Sequence, residues 1–235
     1  RSGGGHPLAT AAVQIAGGWE HTLALDASGR VYSFGSGYKD SRRSGLPPVL
    51  GHGDHERELF PRQILALQDK IVVHIACGWD HSLAVTDHGQ LYSWGAGTNG
   101  KLGHGDENDR AVPTLVATMS GLFVVQAEAG CEHSIGITMS GELYTWGHGD
   151  SGRLGHGDDK TQNVPKRVQL ENHSQCNERT KVVSVAVGDK YNLILVAQDD
   201  TSERGGSGAM SLVGTTSSTT TNNNNNNNNS NASQL

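Results

Sequence analysis

Three copies of the string LGHGD carry the residues in this sequence that are best suited to chemistry. They are Leu50–Asp54, Leu102–Asp106 and Leu154–Asp158, and each places a histidine two residues before an aspartate, between glycines. Histidine and carboxylate together can bind a metal ion or act in general acid–base catalysis. A bound metal, however, needs about four ligands at one point. The second and third copies are 52 residues apart, so we expect the copies in separate structural units and predict neither a metal site nor a catalytic site.

LGHGD is therefore interpreted as a loop element that recurs because the scaffold recurs. The leucine is expected to pack between neighbouring units. The glycines allow a tight backbone, and the aspartate side chain is expected to form an Asx-type turn.

A second recurring histidine closes the strings GWEH, GWDH and GCEH. These residues, His21, His81 and His133, each follow a predicted strand. A histidine that recurs with a strand is expected to be buried and hydrogen-bonded to a backbone carbonyl. A catalytic or ligand-binding role is the alternative.

Two glycine patterns resemble a dinucleotide-binding fingerprint. Gly95, Gly97 and Gly100 form one GxGxxG pattern. A second copy is formed by Gly147, Gly149 and Gly152. Both follow a predicted strand, but LGHGD and a proline-containing strand follow them instead of a helix. Without a helix N-terminus there is no cluster of amides for a pyrophosphate, so no cofactor is predicted.

The elements that position these residues repeat as well. From each GxxH histidine, 14 residues lead to a glycine that closes an aromatic strand. From each LGHGD aspartate, seven residues lead to a proline. Four short strands in about 50 residues are typical of a propeller blade, and the proline strand is expected to be outermost. After an N-terminal flank at 1–12, the repeats are predicted at 13–67, 71–116, 122–168 and, as the start of a fourth, 182–197. Residues 198–235, rich in Ser, Thr, Gly and Asn, are predicted to be disordered.

The first repeat carries an insertion of eight residues. Gly35 and Asp54 are 19 positions apart, whereas Gly95 and Asp106 are 11 apart. The stretch that contains the insertion, Tyr38–Val49, is aromatic, basic and proline-containing in an otherwise acidic chain. Loops on a rigid scaffold commonly carry binding function; a solvated excursion without function is the alternative. The predicted protein-binding residues are Tyr38, Lys39, Arg42, Arg43, Pro47 and Pro48.

The ordered motifs GxxH(T/S)LAL, VYSWG and GxxGxLGHGD followed by VP resemble the repeats of the regulator of chromosome condensation family. The resemblance covers residues 13–197 and implies an all-β fold, a β-propeller of this type. The chain supplies three full blades plus the start of a fourth, so the propeller is partial. The insertion and the loops around LGHGD look most like propellers embedded in large HECT-type ubiquitin ligases.

The resemblance implies a non-catalytic segment that binds proteins, as a partner- or substrate-recruiting module of a larger protein such as a ubiquitin ligase. The alternative is a guanine-nucleotide exchange factor for a Ran-like small GTPase. Photoreception is not expected. Trp19 and Trp79 resemble positions in the plant UV-B receptor of this fold family, but Glu20 and Asp80 stand where that receptor has arginine.

Composition bears on the expected partners and on the cellular location of the protein. The formal net charge is −6, with 24 acidic and 18 basic residues, which gives no electrostatic reason to expect nucleic acid as a partner. No apolar run approaches the roughly 18 residues of a membrane helix, so no membrane association is predicted. Three widely spaced cysteines indicate a reducing compartment. The cytoplasm is the predicted location, with the nucleus as the alternative.

Overall fold

The computed structural model of the chain describes residues 11–36, 48–170, 176–177, 179–197 and 210–214. Strands dominate these ranges, and the helices in them are three-residue 3-10 turns. The strands are β1 Ala12–Gly17, β2 His21–Asp26, β3 Val31–Gly35, β4 Glu58–Gln63, β5 Val72–Cys77, β6 His81–Thr86, β7 Leu91–Gly95, β8 Arg110–Leu115, β9 Val124–Ala129, β10 His133–Thr138, β11 Leu143–Gly147, β12 Gln162–Arg167, β13 Lys181–Val187, β14 Asn192–Ala197 and β15 Met210–Gly214. The 3-10 turns are Leu65–Leu67, Thr98–Gly100, Ala117–Met119 and Asp150–Gly152.

The first three repeats each fold into a four-stranded antiparallel sheet, here named blades 1 to 3. Their strands lie in chain order, β1 to β4, β5 to β8 and β9 to β12. The register is the same in each blade: His21 pairs with Gly35, His81 with Gly95 and His133 with Gly147. The 14-residue spacing therefore spans one antiparallel hairpin, and the prediction of four strands per repeat is confirmed.

The proline-containing strands β4, β8 and β12 lie at the end of each strand order, as predicted. Proline has no backbone N–H to donate to a sheet ladder, so a strand at the edge of the sheet suits it. The glycines that close the turns between the second and third strands, Gly29, Gly89 and Gly141, adopt φ values of 81°, 71° and 82°. This left-handed conformation is accessible to glycine at little cost.

The core lies between blades rather than within one. Val72 and Ile75 on β5 of blade 2 pack against Leu23, Leu25 and Val31 of blade 1 in one buried cluster. A second cluster joins blades 2 and 3 around Trp146 in the same manner. Each blade thus covers the apolar face of its neighbour, as stacked repeats must in order to bury a continuous core.

The fourth sheet, blade 4, differs from the prediction. It has three strands in the order β13, β14 and β15. The strand β15, Met210–Gly214, pairs antiparallel with β14, for example Leu195 with Leu212, yet it belongs to the segment predicted to be disordered. The short run MSLVG can pair with the open edge of β14, and the polar composition around it masks that local strand signal. The other residues of 198–235 lie outside the described ranges.

Candidate functional site

The loops that join the first and second strands of each blade form one end of the molecule. We name them the GxxH loops: residues 18–20, 78–80, 130–132 and, in blade 4, 188–190. Adjacent loops contact each other directly, since the Trp19 amide donates a hydrogen bond of 3.0 Å to the carbonyl of Trp79. We name this end the GxxH face. The segment that follows the third strand of each blade lies at the same end, because the second and third strands are antiparallel, as β2 and β3 are.

The GxxH histidines link one blade to the next. His21, His81 and His133 are at most 3% exposed, so the prediction of burial is confirmed. The predicted partner, a backbone carbonyl, is wrong. Each Nε2 instead meets a side chain of the following blade: Ser82 Oγ at 2.9 Å, Ser134 Oγ at 2.8 Å and Asn192 Oδ1 at 2.8 Å.

A backbone carbonyl accepts the next hydrogen bond, which comes from the serine or asparagine side chain. The Ser134 hydroxyl donates to the carbonyl of Lys101 at 2.8 Å, so it must accept its other hydrogen bond from His81 Nε2–H. Asn192 in the same way donates to the carbonyl of Arg153 at 2.6 Å. In this relay of two hydrogen bonds, a short polar side chain stands between the histidine ring and a backbone carbonyl. The histidine therefore bonds to that side chain and not directly to the carbonyl that the sequence had led us to expect.

Burial keeps these histidines neutral. It lowers the pKa of His21 to about 4 and that of His133 to about 4, and it lowers the pKa of His81 well below its usual value. The other ring nitrogen, Nδ1, is buried in all three and has no hydrogen-bond partner within the described ranges. A proton placed there would carry a buried charge with no nearby acceptor, so the neutral ring with Nε2–H is the stable form.

We expect the stability of the chain to fall as the pH drops from about 6.5 to about 4. In this window the unfolded histidines bind protons that the folded ones do not, so the free energy of unfolding decreases with decreasing pH. At pH 5.5, His21 and His133 should each lower the free energy of unfolding by about 1 kcal/mol relative to pH 7.5. Urea unfolding at pH 7.5 and pH 5.5 measures the effect.

A matched pair of variants isolates the source of this pH dependence. His133→Gln can still donate to Asn192 but does not titrate, so it should reduce the difference between the two pH values. His88→Gln, at a histidine whose side chain is 85% exposed, should leave it unchanged. A His133→Gln protein that keeps the full difference would assign the effect to other groups.

The LGHGD copies confirm the interpretation as a loop element. Their leucines are at most 1% exposed. Their histidine Nε2 atoms lie 2.9 to 3.0 Å from a hydroxyl on the third strand of the same blade, which donates to the leucine carbonyl. Their aspartates accept the amide two residues on, as an Asx turn requires. These bonds account for the histidine and the aspartate without a ligand.

One charged residue was missed by the sequence analysis. The side chain of Lys101, directly before the second LGHGD, is fully buried, and its Nζ lies 2.7 Å from Asp80 Oδ1 and 2.8 Å from Glu132 Oε2. These carboxylates belong to the GxxH loops of blades 2 and 3. Burial raises the pKa of Asp80, and the Lys101 ammonium opposes that shift. The available signal was the residue before LGHGD, which is Lys101 in blade 2 and Arg153 in blade 3 but Val49 in blade 1.

Two tryptophans are the largest apolar side chains exposed on the GxxH face. Trp19 is 61% exposed and Trp79 is 42% exposed. Their rings stack with centroids 4.5 Å apart and an interplanar angle of 25°. The equivalent position is Cys131 in blade 3 and Asp189 in blade 4, so the aromatic platform is confined to the first two blades.

The insertion leaves and rejoins blade 1 on this same face. The Ser36 amide donates to the carbonyl of Glu20 at 2.7 Å, and Trp94 Nε1 donates to the carbonyl of Val49 at 3.1 Å. Pro48, next to Val49 in the sequence, is buried, so it offers little surface to a partner. The other five predicted binding residues lie outside the described ranges: Tyr38, Lys39, Arg42, Arg43 and Pro47.

The described part of the chain contains no group of three or more His, Cys, Asp or Glu side chains arranged to hold a metal ion. None of the helices in that part has the length and apolar character needed to cross a membrane.

Comparison with known families gives the identity of the repeats. The profile of the regulator of chromosome condensation (RCC1) repeat matches residues 48–85, 88–137 and 140–195, and a second profile of the same description matches 12–40 and 72–101. The chain belongs to the RCC1 repeat family. The matched segments include the GxxH loops of all four blades, so the RCC1 pattern and the relay between blades coincide.

Two relatives illustrate how RCC1 repeats are used in longer chains. The human E3 ubiquitin-protein ligase HERC2 is 39% identical over 181 residues, which cover 76% of this chain and 4% of HERC2. The ultraviolet-B receptor UVR8 of Arabidopsis thaliana is 34% identical over 187 residues, 79% of this chain and 39% of UVR8. The chain therefore spans well under half the length of either relative.

Solved structures confirm the β-propeller fold. Human WBSCR16 superposes with a TM-score of 0.68 at 24% identity, over 80% of this chain and 46% of WBSCR16. Prp20p from Saccharomyces cerevisiae gives a TM-score of 0.62 at 23% identity, over 77% of this chain and 42% of Prp20p. The predicted all-β RCC1-type propeller is thus confirmed, with blades 1 to 4 accounting for less than half of each of these chains.

Proposed function

We propose that this chain is a non-catalytic protein-binding segment that recruits a partner or substrate to a larger protein of the ubiquitin-ligase type. The observation that carries the proposal is the exposed tryptophan pair at the root of the basic insertion, on one face of a rigid propeller. Exposed aromatic residues grouped on one surface are typical of protein interfaces. The similarity to HERC2, an E3 ubiquitin-protein ligase, supports the wider context. Cytoplasm is the proposed location, with the nucleus as the alternative.

The insertion is proposed as one part of the contact. Reversing its charge with Arg42→Glu and Arg43→Glu should remove at least one bound protein from the set that the full-length protein captures in cells, because long-range steering and rim ion pairs depend on charge. Quantitative mass spectrometry of the tagged protein provides the readout.

Arg30→Glu with Lys181→Glu is the matched control. It makes the same change of charge at two exposed residues of blades 1 and 4, at the end of the molecule opposite the GxxH face. Loss of the same proteins in this control would point to overall charge, and an unchanged set in Arg42→Glu with Arg43→Glu would contradict the role of the insertion.

Nucleotide exchange on a Ran-like small GTPase is the second candidate. It is supported by the fold shared with Prp20p, a protein described with its binding properties to Gsp1p and histones. A nucleotide-release assay with the full-length protein and Ran tests it. Accelerated release would favour exchange over recruitment, and no acceleration at high protein concentration would remove this candidate.

A further inference from the structure

The two ends of the propeller segment differ sharply in charge. The loops of the GxxH face contain twelve acidic and five basic residues among the described positions, a net charge of −7. These loops are residues 18–20, 36, 48–57, 78–80, 96–109, 130–132, 148–161 and 188–190. The loops of the opposite end contain three acidic and three basic residues within the described ranges. The sequence of 37–47 carries a net charge of +2, which is smaller in magnitude than the −7 of the described loops.

The tryptophan pair lies on the acidic end. Glu20 and Asp80 directly follow the two tryptophans. The faces of aromatic rings attract cations, and tryptophan attracts them most strongly. Acidic surroundings raise the local concentration of cations and increase association rates. An exposed indole pair within a negatively charged surface therefore suits a positively charged side chain better than an apolar or acidic one.

We propose that the GxxH face binds a basic peptide segment of a partner protein and that an arginine of this segment stacks on the Trp19–Trp79 pair. This inference rests on the proposed function as a protein-binding segment and adds the chemistry of the partner segment that contacts the tryptophan pair, which is separate from the part that contacts the basic insertion. Arginine fits better than lysine because its planar guanidinium can lie flat on an indole face and still reach carboxylates at the edge. Nucleic acid is disfavoured because its phosphates would meet the acidic face.

Synthetic peptides test the proposal directly. The probe is a fluorescein-labelled 12-residue peptide that alternates glycine with arginine, compared with the same peptide carrying citrulline, which keeps the shape and removes the charge. Fluorescence anisotropy with the full chain measures both affinities. We expect the arginine peptide to bind more tightly, with an affinity that decreases as salt is added. Equal binding of the citrulline peptide would overturn the proposal.

Substitutions locate the site. Trp19→Ala with Trp79→Ala should weaken the arginine peptide by about tenfold, given the usual strength of cation–π contacts. Phe60→Ala, which removes a 68% exposed aromatic ring on β4, should leave the affinity unchanged. The two remaining tryptophans, Trp94 and Trp146, are fully buried, so an unchanged thermal unfolding midpoint together with their emission reports that the double variant is folded. Unchanged peptide affinity in a folded double variant would overturn the proposal.

Two further outcomes separate this inference from the proposed function. If the tryptophan variant keeps every protein captured in cells while the insertion variant loses some, the aromatic site is refuted and recruitment stands. If the chain alone dimerises and the tryptophan variant is monomeric by analytical ultracentrifugation, the platform serves a second copy of the chain, and the basic partner is refuted.

Discussion

Replacing Gly78 with alanine should destabilise the chain by about 3 kcal/mol or more, one of the larger effects expected of a single methyl group. An added Cβ would lie 2.4 Å from the carbonyl oxygen of Gly130 in the next blade and closer still to the His81 ring. The ring cannot swing away without losing its hydrogen bond to Ser134. The carbonyl belongs to the backbone of blade 3, so relief requires the blades to separate. The thermal unfolding midpoint should fall by about 10 °C for a chain of this size.

Gly17→Ala is the matched control for this prediction. Gly17 ends β1 directly before a GxxH loop, whereas Gly78 is the first residue of such a loop. An added Cβ at Gly17 meets nothing within 4 Å. The control should change the midpoint little, since replacing an unconstrained glycine also restricts the unfolded chain. A Gly78→Ala protein as stable as the control would mean that the glycine and histidine of GxxH do not hold neighbouring blades together.

The sequence was informative wherever a feature depends on spacing within one blade. The 14-residue interval from His81 to Gly95 is a hairpin register, and the proline near the end of each repeat marks an outer strand, so both could be predicted from periodicity and from the missing proline N–H. LGHGD could likewise be interpreted as structural, because the hydrogen bonds of its histidine and aspartate side chains remain within its own blade. The amides of Gly53 and Gly105, by contrast, donate to carbonyls of the next blade.

Features that depend on contact between blades could not be predicted in the same way. The partner of His81 is Ser134, and that of Lys101 includes Glu132; both lie in the following blade. Nothing in the local pattern distinguishes a serine hydroxyl from a carbonyl as the acceptor, because both can satisfy the same buried N–H. The third strand of blade 4 was missed for a related reason, since its pairing depends on an edge that only the folded β14 provides.

The proposed binding surface could be predicted from the sequence only in part. The insertion was located by a difference in length alone, and its residues 37–47 keep the role of a prediction. The two tryptophans are recognisable in the sequence, but their neighbours in the sequence argue only against a role in photoreception. Their stacking across two blades and their place on the acidic end follow from the way the GxxH loops converge, which is a property of the assembled propeller.

Replacing Lys101 with methionine should reduce the free energy of unfolding at pH 7 by about 2 kcal/mol. Methionine fills a similar volume, so packing is largely kept, while the carboxylates of Asp80 and Glu132 lose the cation that both contact. Each carboxylate side chain is about a quarter exposed, 24% and 28%, so water offsets part of the cost of an unpaired charge. The loss should decrease as the pH is lowered, because a protonated Asp80 no longer needs the cation.

Neutralising the carboxylates decides whether charge is the cause. Lys101→Met combined with Asp80→Asn and Glu132→Gln should recover most of the stability lost by Lys101→Met, since replacing a whole buried ionic group often costs little while removing one member costs much. Lys160→Met, at an exposed lysine, controls for the loss of one positive charge. Urea unfolding of the four proteins gives the comparison. A triple variant less stable than Lys101→Met would show that Asp80 and Glu132 hold the GxxH loops by hydrogen bonds of their own, and the charge of Lys101 would then not be what joins blades 2 and 3.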